Sequence, residues 1–270
     1  MQDSLITSPS NPRLKALVAL RRRRQREDSR LTLLEGYDEL GLALAAGVRP
    51  RELYFCPELM LDAAEQRDVV EAARSVGAQT IQLSRSAFEK VAYREGADGF
   101  LAVVASIERS PDELSLPERP LVLIAEGVEK PGNLGAMLRT ADAAGADAVV
   151  AAEPVTDWGN PNVVRASKGT VFSVPVAAAT TRETLGWAGA RGIRVVATTP
   201  DTDTLHTEVD LTGPVAIAVG TEKYGLTDEF LVAADVRVRI PMVGKANSLN
   251  VATSAAIVMY EAVRQRSTRL

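Results

Sequence analysis

Residues 240–255 read IPMVGKANSLNVATSA: the apolar strand end at Ile240 passes a glycine loop at Gly244, then Asn247, Ser248 and Asn250, and enters an apolar stretch of helical character. Ser and Asn favour the position just before a helix, because the side-chain oxygen takes a free backbone N–H of the first turn. One cap accounts for one polar residue, not for three clustered beside a glycine; the cluster points to a binding pocket. A strand running through a loop into a helix is the unit of an open α/β sheet, in which ligands bind outside the carboxyl ends of the strands.

Working outward, short apolar runs at 121–125, 148–152, 194–198, 215–219 and 236–240 are separated by helical segments. Continuous rather than alternating apolar strands imply a parallel sheet buried on both faces. Two more polar strings follow strands of this set. After 121–125 comes Lys130-Pro131-Gly-Asn133-Leu-Gly135-Ala-Met-Leu-Arg139; Pro131 suits a first helical turn, the free N–H groups there favour an anion, and Arg139 adds a planar fork suited to phosphate. After 215–219 comes Gly220-Thr221-Glu222-Lys-Tyr-Gly225-Leu226, in which Gly220 turns the chain and Glu222 directs a carboxylate at the crevice. Arg165, in Arg165-Ala-Ser167-Lys168-Gly169, offers a second cation for a phosphate or a cofactor carboxylate. Neither GxGxxG after the first strand nor GxxxxGK[ST] is present, so a dinucleotide fingerprint and a phosphate-binding loop are unsupported.

The leading part alternates helix and strand signals: a basic helix from Asn11-Pro12 to about 28, a strand at 31–34, a helix at 37–46 closed by Gly47, and a strand at 51–55. A helix at 61–76, a strand at 79–83, a helix at 87–93 and a strand at 100–107 continue it, which describes a small sheet covered by helices. The stretch ERSPDELSLPERP, 108–120, is polar and carries three prolines, as an interdomain connection does. The expected division is a first domain at 1–107, a linker at 108–119 and a second domain at 120–270.

The chain has 270 residues, 46% of them hydrophobic, enough for two modest cores. No apolar run reaches the length of a membrane span and no signal sequence opens the chain, so the expected compartment is the cytoplasm. Cys56 is the only cysteine and His206 the only histidine. Counting alone therefore excludes an intrachain disulfide and a Cys/His zinc cluster. Cys56 reads as a small buried hydrophobe and His206 as a solvated loop residue. The net charge of −4 argues against a nucleic-acid partner, but residues 1–30 hold eight cations (Arg13, Lys15, Arg21, Arg22, Arg23, Arg24, Arg26, Arg30) against Asp3, Glu27 and Asp28, which is 8 − 3 = +5. Such a segment suits phosphate contact. No aromatic residue interleaves it, so backbone or structured RNA is expected rather than sequence readout.

The three strings 133–139, 220–226 and 240–255, in that order, resemble the signature motifs of the SpoU-type (TrmH-like) RNA ribose 2′-O-methyltransferases of the SPOUT superfamily; the resemblance spans 121–264. It implies a knotted (trefoil) parallel-sheet methyltransferase domain, with the knot over roughly 198–264, that binds S-adenosylmethionine through loop backbone. Carried over, the cofactor residues are Thr198, Gly220, Thr221 and Glu222, then Ile240, Pro241, Met242, Ser248 and Leu249. The catalytic set is Arg139, Asn133, Glu222, Ser248 and Asn250, with no metal. The family also implies a homodimer with the site completed across the interface. Arginine is effectively always protonated, so Arg139 is expected to act electrostatically, gripping a phosphate, rather than as a base. The leading domain resembles, through Leu34-Glu35-Gly36 and the strand from Gly99, the L30e-like RNA-binding appendage of ribosomal-RNA members. The expected substrate is therefore 23S rRNA, bound also through Arg21, Arg22, Arg23, Arg24, Arg139 and Arg165. The alternatives are tRNA, or a noncatalytic RNA-binding or assembly factor of the same fold; the resemblance is equally compatible with housekeeping and antibiotic-resistance members.

Overall fold

The computed structural model describes residues 4–62 and 66–267; Asp3, one of the acids of the basic segment, and positions 63–65 of the helix expected at 61–76 lie outside the described residues. Contacts divide the chain into two units. One holds the described residues up to Ile107 together with Trp158–Ser173, the other Glu108–Asp157 and the described residues from Val174 onward.

In the first unit the elements are β1 (Ser4–Ile6), α1 (Pro12–Ala19), α2 (Arg23–Ser29), β2 (Leu31–Glu35), α3 (Tyr37–Ala45), β3 (Glu52–Phe55), α4 (Arg67–Ser75), β4 (Gln79–Leu83), α5 (Arg85–Val91) and β5 (Phe100–Ala105). The sheet order is β1-β4-β3-β5-β2, with β5 antiparallel to both neighbours and the other pairs parallel. Leu14 and Leu17 of α1 and Phe88 of α5 are buried in the same apolar cluster as Ile81, Leu83 and Leu101 of the sheet. Cys56 is fully buried there, and burial pushes its thiol pKa up.

The single basic helix expected to about 28 is two helices. Asn11 caps the first, accepting from Arg13 N–H at 2.9 Å, with Pro12 in the first turn. Arg22 is extended at φ −90, ψ 133. The buried Arg26 guanidinium donates to the carbonyls of Leu20 and Arg21 at 2.9 and 2.8 Å, taking acceptors that a continuous helix would need.

The later elements are β6 (Leu121–Glu126), α6 (Pro131–Ala143), β7 (Ala148–Ala152), α7 (Pro161–Ala166, which counts with the first unit), β8 (Val176–Ala179), α8 (Thr181–Ala190), β9 (Arg194–Thr198), β10 (Val215–Val219), α9 (Asp228–Ala233), β11 (Val236–Val238) and α10 (Val251–Ser267). The second unit's six strands are all parallel, in the order β11-β9-β10-β6-β7-β8, as continuous apolar runs require. β8 is an addition to the expected set: three of its four residues are alanine, a poor strand former, and pairing with β7 makes the strand. The register sets Val219 beside Ala125, Ala218 beside Ala197, and Val238 beside Thr198, so the ends of β6, β9, β10 and β11 share one edge. On that edge the buried Glu126 carboxylate accepts from the hydroxyls of Thr181 and Thr227, at 2.6 and 2.8 Å, and from Thr227 N–H at 2.8 Å, tying α8 and α9 to the strand ends. α10 returns against α6 and β10. His206 is half-buried rather than solvated, its backbone N–H donating to Arg239 O at 3.1 Å. No helix among the described residues is long and apolar enough to cross a membrane.

Candidate active site

Three chain segments meet at the carboxyl edge of the six-stranded sheet. Pro131 opens α6 and puts Asn133 in its first turn. β10 ends at Val219, and the turn that follows is closed by reciprocal bonds between Thr221 and Gly225, at 2.8 and 3.0 Å. That turn carries Glu222. The third segment is 240–250, which ends in the N-terminus of α10.

A polar chain joins them. The Glu222 carboxylate accepts from Lys130 Nζ at one oxygen and from Asn133 Nδ2 at the other. Asn133 Oδ1 accepts from Asn250 Nδ2 at 3.2 Å. Asn250 Oδ1 in turn accepts from the backbone N–H of Ala252 at 2.9 Å and Thr253 at 3.4 Å, so Asn250 is the helix cap. The cap oxygen and the side-chain amide thus do different work, and both ends of the Asn133 amide are engaged, which fixes its orientation. The Lys130 ammonium, and after it the Asn133 amide, hold the Glu222 carboxyl below the usual carboxylate range. A carboxyl so stabilised is a weak base, suited to positioning Asn133 rather than to taking a proton. Sequence reasoning does not single out Lys130 for this part; its one signal is its place immediately before Pro131.

Beside this chain lies a cavity of about 480 Å³, lined by the ends of β9 and β10, the turn at 220–226, Ile240, Met242, 247–249 and the first residues of α10. All the cofactor residues named from the resemblance line it except Pro241. Thr199, Pro200, Asp201, Tyr224 and Asp228 also line it; they carry no pattern of their own, and only the fold gathers them.

Arg139 is placed elsewhere. It stands six residues beyond Asn133 on α6, roughly 240° round the helix at 100° per residue, exposed, with no hydrogen bond or ion pair to any described residue. It does not line the cavity. Arg165 lies on α7, in the first unit. In the basic run, Arg21 donates to the carbonyls of Val91 and Ala92 at 3.0 and 2.8 Å and so clamps the end of α5. Arg23 and Arg24 pair along α2 with Glu27 and Asp28, at 2.7 and 3.8 Å, while Arg22 is exposed.

Residues 120–260 match the SpoU rRNA Methylase family, and residues 11–102 match the MRM3-like substrate binding domain. A 23S rRNA (guanosine-2′-O-)-methyltransferase of Ralstonia nicotianae is 33% identical over 248 residues, 88% of this chain and 98% of the relative. The crystal structure of an RNA 2′-O ribose methyltransferase superposes with a TM-score of 0.83 at 41% identity, covering 97% of this chain and 99% of that one. An AdoMet-bound rRNA methyltransferase from Sinorhizobium meliloti superposes with a TM-score of 0.89 at 28% identity, covering 98% of each chain.

The cavity fits S-adenosylmethionine on its own terms. Its volume lies within the roughly 300–1,000 Å³ of small-molecule sites. Thr198 Oγ1, on a residue lining it, is buried without a hydrogen-bond partner, and an unmade bond of that kind is expected to find its partner in a ligand. Gly220 lets the chain turn tightly, bringing backbone groups to the wall.

Proposed function

This chain belongs to the SpoU rRNA Methylase family, and from that premise we propose that it methylates a ribose 2′-hydroxyl of 23S rRNA with S-adenosylmethionine as donor. The observation that carries this reading is the Lys130–Glu222–Asn133–Asn250 chain, which joins the three strand-end strings beside a cofactor-sized cavity.

S-adenosylmethionine, when bound, supplies a methyl carbon made electrophilic by its sulfonium. Thr198, Gly220, Thr221, Ile240, Met242, Ser248 and Leu249 hold it in the cavity, with Pro241 shaping the loop between Ile240 and Met242. Glu222 and Asn250 lock the Asn133 amide, and Asn133 with Ser248 orients the ribose. Arg139 grips the phosphate 3′ to the target and stabilises charge growing on the 2′-oxygen, with that phosphate taking the proton.

Because Arg139 is turned away from Asn133 on its helix, it serves the site of a second copy, and the working enzyme is a homodimer. Met242, Val243 and Tyr260, all exposed apolar side chains of the second unit, support such an interface. The trefoil knot belongs to this reading too: β10 sits between β9 and β6, and α10 packs back on α6 and β10. The leading domain, 1–107, holds the RNA, the linker at 108–119 joins it to the catalytic domain at 120–270, and a ribosomal-RNA substrate places the enzyme in the cytoplasm.

The test is transfer of labelled methyl to unmodified rRNA and bulk tRNA in parallel, followed by nuclease mapping. Label in one 2′-O-methyl nucleotide of 23S rRNA is expected. Label in tRNA alone reassigns the substrate, and no label in either despite cofactor binding leaves an assembled ribosomal particle as the substrate or a noncatalytic protein of the same fold.

Within the basic run the three outer arginines and Arg21 separate. Changing Arg22, Arg23 and Arg24 to Gln lowers the salt dependence of RNA binding by roughly 0.7–0.9 in log–log slope for each phosphate that is no longer neutralised, at unchanged thermal stability. Arg21→Gln instead lowers the melting temperature, since it releases two carbonyls at the end of α5. An unchanged slope in the triple variant makes that run a solvated face.

A further inference from the structure

Tyr93 in the first unit is held from three sides yet remains 38% exposed. Its backbone N–H donates to Glu35 Oε2 at 2.9 Å, its hydroxyl accepts from Asn162 Nδ2 at 3.0 Å, and the Arg21 guanidinium lies over its ring at 5.5 Å from the centroid. An aromatic side chain fixed this firmly has little rotamer freedom left to lose, which makes it a ready stacking surface.

Beside it is a recess lined by Leu33, Glu35, Pro161, Val164 and Arg165 among others, with a volume of about 20 Å³. That admits a water or an amino group but not a base, so a base would rest on the rim with one polar edge dipping in. Glu35 offers a carboxylate acceptor there, and burial pushes its pKa up. The neighbouring Arg94 is committed to Glu39 and Asp98, at 3.5 and 3.2 Å. Arg165, by contrast, is exposed, and its guanidinium has no hydrogen bond or ion pair among the described residues. A rigid aromatic face, an apolar floor, an acceptor and a free planar cation together match one nucleotide: base, edge and phosphate.

We propose that Tyr93 and Arg165 bind a single unpaired nucleotide of the RNA, its base stacked on the Tyr93 ring and its phosphate on Arg165. The inference rests on the RNA-methylating reading above but concerns a site distinct from the transfer site. It also supplies the aromatic partner that the basic run lacks in sequence, since folding brings Arg21 onto Tyr93.

The experiment uses the full chain with an unmodified 23S rRNA transcript: filter binding across salt, ultraviolet cross-linking with peptide mass spectrometry, and thermal melting of each variant. Cross-linking at Tyr93 is expected in the wild-type chain. Tyr93→Leu binds about tenfold more weakly and loses the cross-link, Tyr93→Phe keeps both, and Arg165→Gln lowers the salt slope by about one. If Tyr93→Leu fails to fold, the wild-type cross-link and the Arg165→Gln slope decide. A folded Tyr93→Leu with wild-type affinity, or a Phe variant as weak as the Leu one, overturns the stacking site and makes Tyr93 a structural clamp through Asn162. Either result leaves methyl transfer by the wild-type chain standing; a wild-type chain that binds no RNA overturns both readings at once.

Discussion

Arg139→Ala is expected to lower methyl transfer roughly 100- to 1,000-fold, the loss that follows removal of one preorganised group from the charge that develops during reaction, with S-adenosylmethionine affinity held within tenfold. The two halves of this result have separate causes. Arg139 does not line the cofactor cavity, so the cofactor has little to lose. The side chain is exposed and unpaired among the described residues, so its removal leaves stability within about 0.5 kcal/mol, as for other plain surface positions. The defect therefore belongs to transfer alone. Arg139→Lys keeps the charge but not the bidentate fork, and recovers only part of the rate. Calorimetry for the cofactor and single-turnover methyl transfer check both halves. Full activity in the alanine variant removes Arg139 from the mechanism.

Gly220→Ala is expected to damage the cofactor site and the fold together. Gly220 is buried at the end of β10, and a Cβ there would run into the backbone carbonyl of Gly225 and the amide of Leu226. Backbone cannot swing aside as the tip of a long side chain can. The turn is also pinned on its far side: Leu226 is buried, and Thr227 caps α9 and bonds to Glu126. The added methyl must therefore displace 221–225, which carries Glu222. Overpacking of this kind costs about 1–3 kcal/mol of fold stability; the share of it that the free turn relieves by shifting and the cofactor-bound turn cannot is lost from S-adenosylmethionine binding, with about 150-fold as the ceiling. Gly225→Ala is the control. Its Cβ has open space, and only the positive φ of 71° opposes it, a strain of about 1–2 kcal/mol. Melting curves and cofactor titrations should show Gly220→Ala as the worse variant in binding. Equal cofactor affinities in wild type and Gly220→Ala mean that the turn at 220–226 does not wall the site.

Continuous apolar strands, helices between them and polar strings at their ends are local properties, so residues 121–255 disclose a parallel sheet by themselves. One cysteine and one histidine exclude whole classes of chemistry by counting. What depends on partners far along the chain does not show in this way. Asn133 and Asn250 bond across 117 positions, and nothing near either residue says that one will cap α10 while holding the other. The phase that turns Arg139 away from Asn133 is implicit in their spacing, but only the packed α6 shows which face meets the network. Arg21 reads as one of four equal arginines until folding brings the end of α5 and the Tyr93 ring to it. β8, nearly all alanine, is a strand because β7 pairs with it, and Trp158–Ser173, flanked on both sides by second-unit sequence, makes its contacts with the first unit. Periodicity, capping and turn preference act over a few residues and determine which elements form. Which side chains then meet is decided by burial and hydrogen-bond satisfaction across the whole fold, and those are tertiary quantities.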